Sequence, residues 1–333
     1  MIFIEQITCL NELGWRENLE DTIYPPPGEA TSNNNLFLVC DGVGGESKGE
    51  IASLIATREF AKYFDETPPE KNFIADDYLG QAQQHVLMEM RKYADIHPEA
   101  LRMSTTLTLA YVNVKGVLAA WCGDSRIYHI RKGQIVWRSA DHSLVAKLVE
   151  DGELTHEEAK NHPQRNVITR SLTASGKISD IDSKWLTDIQ NDDYIMLCTD
   201  GVMEQISEPI LEEIMSDPNE DKKSLFLKYS LGKTNDNFSL YLLKFSNTNA
   251  VTTKKRTKKG GFLLLWIIAV LLISAACGYA WITYFNHGIN PFFSKKPKQS
   301  DTSETIIKKK KSSEAVLPEL QKPDVIKNGQ HKK

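Results

Sequence analysis

Along the first 246 residues, short apolar runs recur between polar, glycine-marked breaks. Those at 36–40, 105–114, 117–122, 126–130, 195–198 and 238–245 have the length and the β-branched or aromatic content of strands. The tripeptides VKG and RKG, at 114–116 and 131–133, separate successive runs and predict tight turns, hence antiparallel pairing. Helical spacing takes over in Ile51, Leu54, Ile55 and Ala61 and again across 78–93. Antiparallel hairpins with helices between them predict a layered α+β domain. No internal repeat interrupts 1–246, which reads as one domain.

A different pattern follows. Residues 262–285, FLLLWIIAVLLISAACGYAWITYF, carry no charge and place aromatic residues toward both ends, which predicts one transmembrane helix over 261–285. The linker 247–260 ends in the basic cluster KKRTKKG, expected on the cytoplasmic side, so the large domain is expected in the cytoplasm on a single-pass cell-membrane anchor. The N-terminus has no charged-then-apolar leader. The tail 286–333, rich in Lys, Ser, Thr and Pro, lacks the large apolar residues needed to offset its ordering entropy and is expected to be disordered.

The formal charge of −4 hides a division along the chain. From Lys254 onward lie sixteen of forty basic residues but only five of forty-four acidic ones, leaving 24 against 39 before it, or −15. So acidic a body repels a phosphate backbone, which argues against nucleic acid as a partner. The five cysteines show no CxxC spacing, which argues against a zinc cluster. Three of them, Cys40, Cys122 and Cys198, end apolar runs as small hydrophobes, and unbridged thiols suit a reducing cytosol.

Several apolar runs end in an acidic residue: VCDGVGG, WCGDSR and LCTDGV place Asp41, Asp124 and Asp200 at strand ends. A buried strand cannot carry a carboxylate in its interior, but several strand ends meeting at one sheet edge make a cluster of negative charge that calls for cations. Oxygen donors without His or Cys at ligand spacing favour magnesium or manganese over zinc. A single Asp-Gly is equally a turn signal, so the weight lies in the repetition. A nucleotide-binding loop is excluded, because GVGGESKG lacks the terminal GK[ST] and no G-x-G-x-x-G stands at a strand-to-helix turn. The aromatic residues are scattered rather than arranged for base stacking.

Read in order, GWRENLEDT, LFLVCDGVGGESKGE, MSTTLTLAYV, AAWCGDSRIYHI, SADHSLVAKLVEDGELTHEEAKNHPQRNVITRSL, DYIMLCTDGVME and NDNFSLYLLKF resemble the successive motifs of the metal-dependent protein phosphatases of type 2C. The resemblance spans nearly all of 1–246. It implies a central β-sandwich of two antiparallel sheets flanked by helices, with a centre for two Mn²⁺ or Mg²⁺ ions, and room for a third, at one end of the sandwich. Asp41 then matches the carboxylate bridging both ions, and Gly42 the residue offering its carbonyl. Glu20 and Asp21 match the acidic pair of the first motif, Asp21 supporting the reacting water and Glu20 the second ion. Asp200 and Asp236 fall on the remaining metal-site aspartates. Asp124, with Glu204 as helper, matches a third, weaker position, and Arg16 the arginine that grips the substrate phosphate. The implied activity is hydrolysis of phosphoserine and phosphothreonine on proteins by a water activated between the ions, without a phosphoenzyme. The implied partners are phosphorylated proteins and an opposing serine/threonine kinase in a signalling role, besides membrane lipid around the span.

The chain also departs from the family pattern. Leu19 stands where many bacterial members have asparagine, and Val43 where animal members have a histidine thought to protonate the leaving group, so the general acid is unassigned. His142, in DHS, reads as structural, and 144–165 resembles the flap beside the active site, its charges forming a solvated helical face. Two other classes stay open: a degenerate phosphatase fold that only binds a partner at the membrane, and a tethered scaffold whose basic tail binds anionic lipid or an acidic protein.

Overall fold

Two five-stranded antiparallel sheets face each other in the computed structural model, which describes residues 1–43, 48–69, 77–175, 178–217, 219–247 and 271–282. The first sheet has the order β1 (Ile2–Glu12), β13 (Phe238–Asn247), β12 (Tyr194–Cys198), β8 (Arg126–Arg131), β9 (Gln134–Arg138). The second runs β11 (Asp182–Leu186), β7 (Gly116–Cys122), β6 (Leu107–Asn113), β3 (Leu36–Cys40), β2 (Thr22–Tyr24). Between their ends lies a three-stranded ribbon of β10 (Leu172–Thr173), β5 (Ser104–Thr105) and β4 (Gly42–Val43).

Helices cover both outer faces. α1 (Gly49–Glu66) and α2 (Tyr78–Ile96) pack on the second sheet, while α6 (Glu208–Ser216) and α7 (Lys222–Ser230) pack on the first. Among the described residues the domain also has three short helices, α3 (Leu144–Glu150) and α4 (His156–Lys160) in the lobe 144–165, and α5 (Asp200–Gln205) directly after β12.

This four-layer build explains why the central strands read as continuous apolar runs. In β3, Phe37 and Val39 enter the core between the sheets, with Ile127, Ile195, Leu197 and Tyr241. Leu36, Leu38 and Cys40 point the other way, onto Ala52, Ile55, Phe60 and Val86 of α1 and α2. β12 divides likewise, Ile195 and Leu197 inward, Met196 and Cys198 toward Leu211, Ile214 and Phe226. Each strand is buried on both faces, so period-2 alternation vanishes. The thiols at the ends of β3, β7 and β12 are free and buried, in keeping with their reading as small hydrophobes.

Both predicted hairpin turns are present, with Lys132 and Gly133 at φ 51° and 78° in the second. The run 105–114 is not one strand. It breaks at Thr106, whose N–H donates to the Asp41 carbonyl at 2.8 Å while its Oγ1 accepts the Asp41 N–H at 3.0 Å. The residue leaves one ladder to fasten the end of β3.

The chain divides after residue 255 into two units, the first of which holds both sheets. Of the span expected over 261–285, residues 271–282 are described; they are helical, uncharged and exposed. Among the described residues no helix is long and apolar enough to cross a membrane. The remainder of the expected span, most of the linker 247–260 and the tail 286–333 lie outside the described residues.

Candidate metal centre

Strand register decides which chain ends meet. Cys40 at the end of β3 pairs with Thr22 at the start of β2, so Asp41 lies beside Asp21. Cys198 at the end of β12 pairs with Leu240 near the start of β13 and with Arg126 at the start of β8. Asp200 is thereby placed near Asp236, which precedes β13, and near Asp124, in the turn from β7 to β8. Five aspartates from five strand ends arrive at one end of the sandwich.

Their electrostatics follow from this convergence. Burial pushes the Asp41 carboxyl well above its ordinary range, and the charges of Asp21, Asp200, Asp124 and Asp236 push it further. Burial raises Asp21 to about 7 against hydrogen bonds from Ser239 and Thr199, the latter donating to Asp21 Oδ2 at 2.9 Å. Asp124 is pushed up to about 7, by burial first and then by Asp200 and Asp141. Asp200 rises through burial and the Asp236 charge.

Divalent ions fit this set. Among the described residues Asp124 Oδ1 and Asp200 Oδ1 are buried without a hydrogen-bond partner, an arrangement that leaves a full desolvation penalty unless something else coordinates them. The donors are all oxygen, as magnesium and manganese require. Among the described residues no three His, Cys, Asp or Glu side chains close around one point, so the carboxylates share a region rather than a finished cage.

At the rim, Arg16 Nη2 donates to Asp236 Oδ2 at 2.7 Å, and this bond raises the guanidinium pKa. Glu20 is pushed up by burial and pulled down by Arg16. Asn237 organises the segment that carries both: its Oδ1 accepts the Glu20 N–H at 2.7 Å, and its Nδ2 donates to the carbonyls of Leu13 and Asn18 at 2.7 and 3.0 Å. Asn237 was not singled out from the sequence, although it stands next to Asp236 in NDN. Thr106 and Thr199 were also passed over; Thr199 stands directly before Asp200, which was an available signal, whereas Thr106 meets Asp41 only in the folded chain.

Two glycines take a meaning the sequence did not give them. A Cβ on Gly42 would lie 2.3 Å from the Gly49 carbonyl oxygen and 2.8 Å from that of Glu20. A Cβ on Gly201 would lie 2.0 Å from the Asn237 carbonyl oxygen. The glycine after the aspartate therefore admits the backbone of a neighbouring segment, in addition to any room it leaves for ions. Gly42→Ala is expected to destabilise the fold by about 1–3 kcal/mol or more, as overpacking does; denaturant unfolding measures it, and a midpoint equal to wild type would refute the contact.

Glu204 is engaged in hydrogen bonds of its own. Its Oε2 accepts from Thr234 Oγ1 and, at 2.8 Å, from the Asn235 N–H, and its Oε1 accepts from Asn235 Nδ2 at 2.8 Å. These bonds hold its pKa down against the opposing effect of burial. It braces the loop leading into Asp236. Val43 lies in β4, paired with Ser104, and offers no proton. His142 is buried, and burial lowers its pKa. The lobe 144–165 has no buried residue in either of its helices, in accord with a solvated face.

The protein phosphatase 2C family profile matches residues 19–226, and the chain belongs to that family. The serine/threonine phosphatase Stp of Listeria monocytogenes is 32% identical over 188 residues, covering 56% of this chain and 74% of its own. The crystal structure of Stp1 from Staphylococcus aureus superposes with a TM-score of 0.61 at 29% identity, over 72% of this chain and 94% of that one. PstP of Mycobacterium tuberculosis gives 0.62 at 25% identity, over 74% of this chain and all of the solved one. Arg16 and Asp236 lie outside the matched residues, and it is their 2.7 Å contact at the rim that joins them to the site.

Proposed function

We propose that this chain is a serine/threonine protein phosphatase that hydrolyses phosphoserine and phosphothreonine on proteins with Mn²⁺ or Mg²⁺. The observation that carries the reading is the meeting of five strand-end aspartates, two with buried partnerless oxygens, at one end of the sandwich. Family membership supports it, and the catalytic domain of PstP has been solved with two manganese ions.

Asp41, with Asp21, Asp200, Asp236, Glu20 and the Gly42 carbonyl, would hold two ions, and Asp124 a third. Ions so held supply an activated water and neutralise phosphate charge, which makes a phosphoenzyme unnecessary. The chain's own part is positioning. Asp21, fixed by Thr199, orients the attacking water through its carboxylate. Arg16 presents a planar fork to the equatorial phosphate oxygens, and its bond to Asp236 keeps that fork at the rim. The substrates are products of a serine/threonine kinase, which is the opposing partner. A degenerate binding module would have lost metal carboxylates, and here the whole set is present. The purified chain is expected to release phosphate from a phosphothreonine peptide with manganese present and to stop when the ion is chelated. A folded protein inactive under both conditions would end this reading.

The uncharged run at 262–285, helical where it is described, supports a single membrane span with the phosphatase domain in the cytoplasm. The protein is then expected in the carbonate-resistant membrane fraction, and a variant lacking 261–285 in the soluble one. Equal partition of both would argue for the basic tail as the tether.

A further inference from the structure

We propose that His142 is a positioning residue that locks the turn carrying Asp124 to the lobe 144–165, so that one imidazole sets both the third carboxylate and the substrate-facing lobe. The inference deepens the phosphatase reading and rests on it for its kinetic consequences.

The geometry is a clamp on three segments. The Gly123 N–H donates to His142 Nδ1 at 3.2 Å, so Nδ1 is unprotonated and the ring hydrogen sits on Nε2. Nε2 then donates to Asp182 Oδ2 on β11 at 3.1 Å, and Arg170 Nη1 stands 3.3 Å from the same nitrogen. The main chain repeats the grip, because the His142 N–H donates to the Gly123 carbonyl at 2.9 Å and the His142 carbonyl accepts the Thr169 N–H at 2.8 Å. Trp121 stacks on the ring, centroids 6.3 Å apart and planes 22° apart, and its own Nε1 donates to the Ala140 carbonyl at 2.8 Å.

Both ends of the lobe are fastened here. Ser143 caps α3 and bridges to Ile168, Leu144 N–H donates to the Val167 carbonyl at 2.8 Å, and Arg170 Nη1 donates to Asp182 Oδ1 at 2.9 Å. The carboxylate that receives the imidazole N–H thus also receives the arginine at the lobe's exit. Without the imidazole the lobe keeps the main-chain bonds of residue 142 to Gly123 and Thr169 and the Arg170–Asp182 bond, and loses the side-chain link that ties Gly123 to Asp182.

On the other side of the clamp stands the metal region. Gly123 is at φ 114°, and a Cβ there would lie 2.7 Å from Thr106 Cγ2, so the turn rests directly on Thr106. Ser125 Oγ and Thr106 Oγ1 are 2.7 Å apart, and Thr106 binds the Asp41 backbone through both its N–H and its Oγ1. Asp41 and Asp124 are therefore referenced to one another through Thr106, and to the lobe through His142. The buried, partnerless Asp124 Oδ1 depends on this turn for its aim. Groups that orient a ligand from behind commonly change metal affinity about 10–100-fold when removed.

Three forms of the full chain test the proposal: wild type, His142→Ala and His142→Asn. Asparagine can place its Oδ1 near the position of Nδ1 and accept from Gly123, but it cannot reach Asp182. Amide hydrogen exchange is read at 123–125 and at 144–170, together with the manganese concentration giving half-maximal turnover. His142→Ala is expected to raise exchange about tenfold or more in both segments and to raise the manganese requirement about tenfold. His142→Asn is expected to restore the turn and the manganese requirement while the lobe stays unprotected. Loss of protection confined to the lobe with an unchanged manganese requirement would overturn the proposal, as would His142→Asn behaving like His142→Ala. If alanine unfolds the protein, the asparagine variant alone decides by the same split. If wild type shows no turnover, the phosphatase reading falls and the exchange pattern still judges the clamp.

Discussion

Asp41→Asn should reduce turnover on the order of 10³-fold or more while making the metal-free protein more stable. The side chain keeps its shape and loses its charge. Asp41 is the aspartate most surrounded by others, with Asp21, Asp200, Asp124 and Asp236 all raising its pKa beyond what burial does. Neutralising it removes the largest share of like-charge repulsion and, by the same act, the carboxylate best placed to be shared between ions. A structural aspartate should behave in the opposite way. Asp193 is fully buried but paired, with His129 Nε2 at 2.8 Å and with Arg131 Nη2 at 2.8 Å, so Asp193→Asn strips both of their carboxylate partner and leaves Arg131 its bonds to Asp188. It should lower the melting temperature and leave the kcat of the folded fraction near wild type. Melting curves without metal, calorimetric manganese binding and steady-state kinetics on the two variants separate the cases. Turnover by Asp41→Asn within tenfold of wild type would remove Asp41 from the centre.

The contrast between these aspartates also shows what could be read from the chain and what could not. Strand-end carboxylates were legible because a fully buried strand has only its ends for a charge, and β3 and β12 announce themselves as unbroken apolar runs. β1 gave no such signal. Its sequence, IFIEQITCLNE, buries only Ile4 and Leu10, and the register shifts between Ile4 and Gln6. After that irregularity Leu10 faces the helices α6 and α7 although Ile4, an even number of residues away, faces the other sheet. Periodicity cannot survive a bulge. The edge strand β11, DSKWL, was hidden in the same way by exposed polar residues.

Within the site, residue type pointed to ligands and missed their supports. Thr106, Thr199 and Asn237 work through contacts spanning 65, 178 and 217 residues, to Asp41, Asp21 and Glu20 respectively. No local spacing encodes such distances. The resemblance marked Gly42 for its carbonyl, but the backbones that Gly42 and Gly201 admit, at Gly49 and Asn237, become neighbours only in the folded chain. Glu204 carried the right chemistry at a plausible place, and only its bonds to Thr234 and Asn235 reveal that its oxygens are already engaged.

Metal-free protein should lose stability as pH rises through about 7, and manganese should restore it most strongly at the alkaline end. Asp21 and Asp124 are each raised to about 7 in the folded state, from ordinary unfolded values of about 4. Across that interval the folded protein holds protons that the unfolded chain has released, so the slope of stability against pH is negative. Their contribution is complete below about pH 4 and is lost as the pH passes 7. Carboxylates shifted the other way, Asp193 and Glu204 among them, are fully ionised in both states above about pH 5 and add no slope there. His142 acts in the opposite direction, because its lowered pKa makes folding more favourable as pH rises, but only up to the ordinary histidine range near about 6.5. The fall between about pH 6.5 and 8 therefore belongs to the buried aspartates. A divalent ion that requires them ionised reverses it, by about 2.7 kcal/mol at a hundred times its dissociation constant. Melting temperatures with chelator and with manganese, taken from about pH 5 to 8, should diverge steadily as pH increases, and Asp21→Asn should flatten the chelator curve. Parallel curves would mean that these aspartates are not held protonated by their burial, and the electrostatic account of the centre would fail with them.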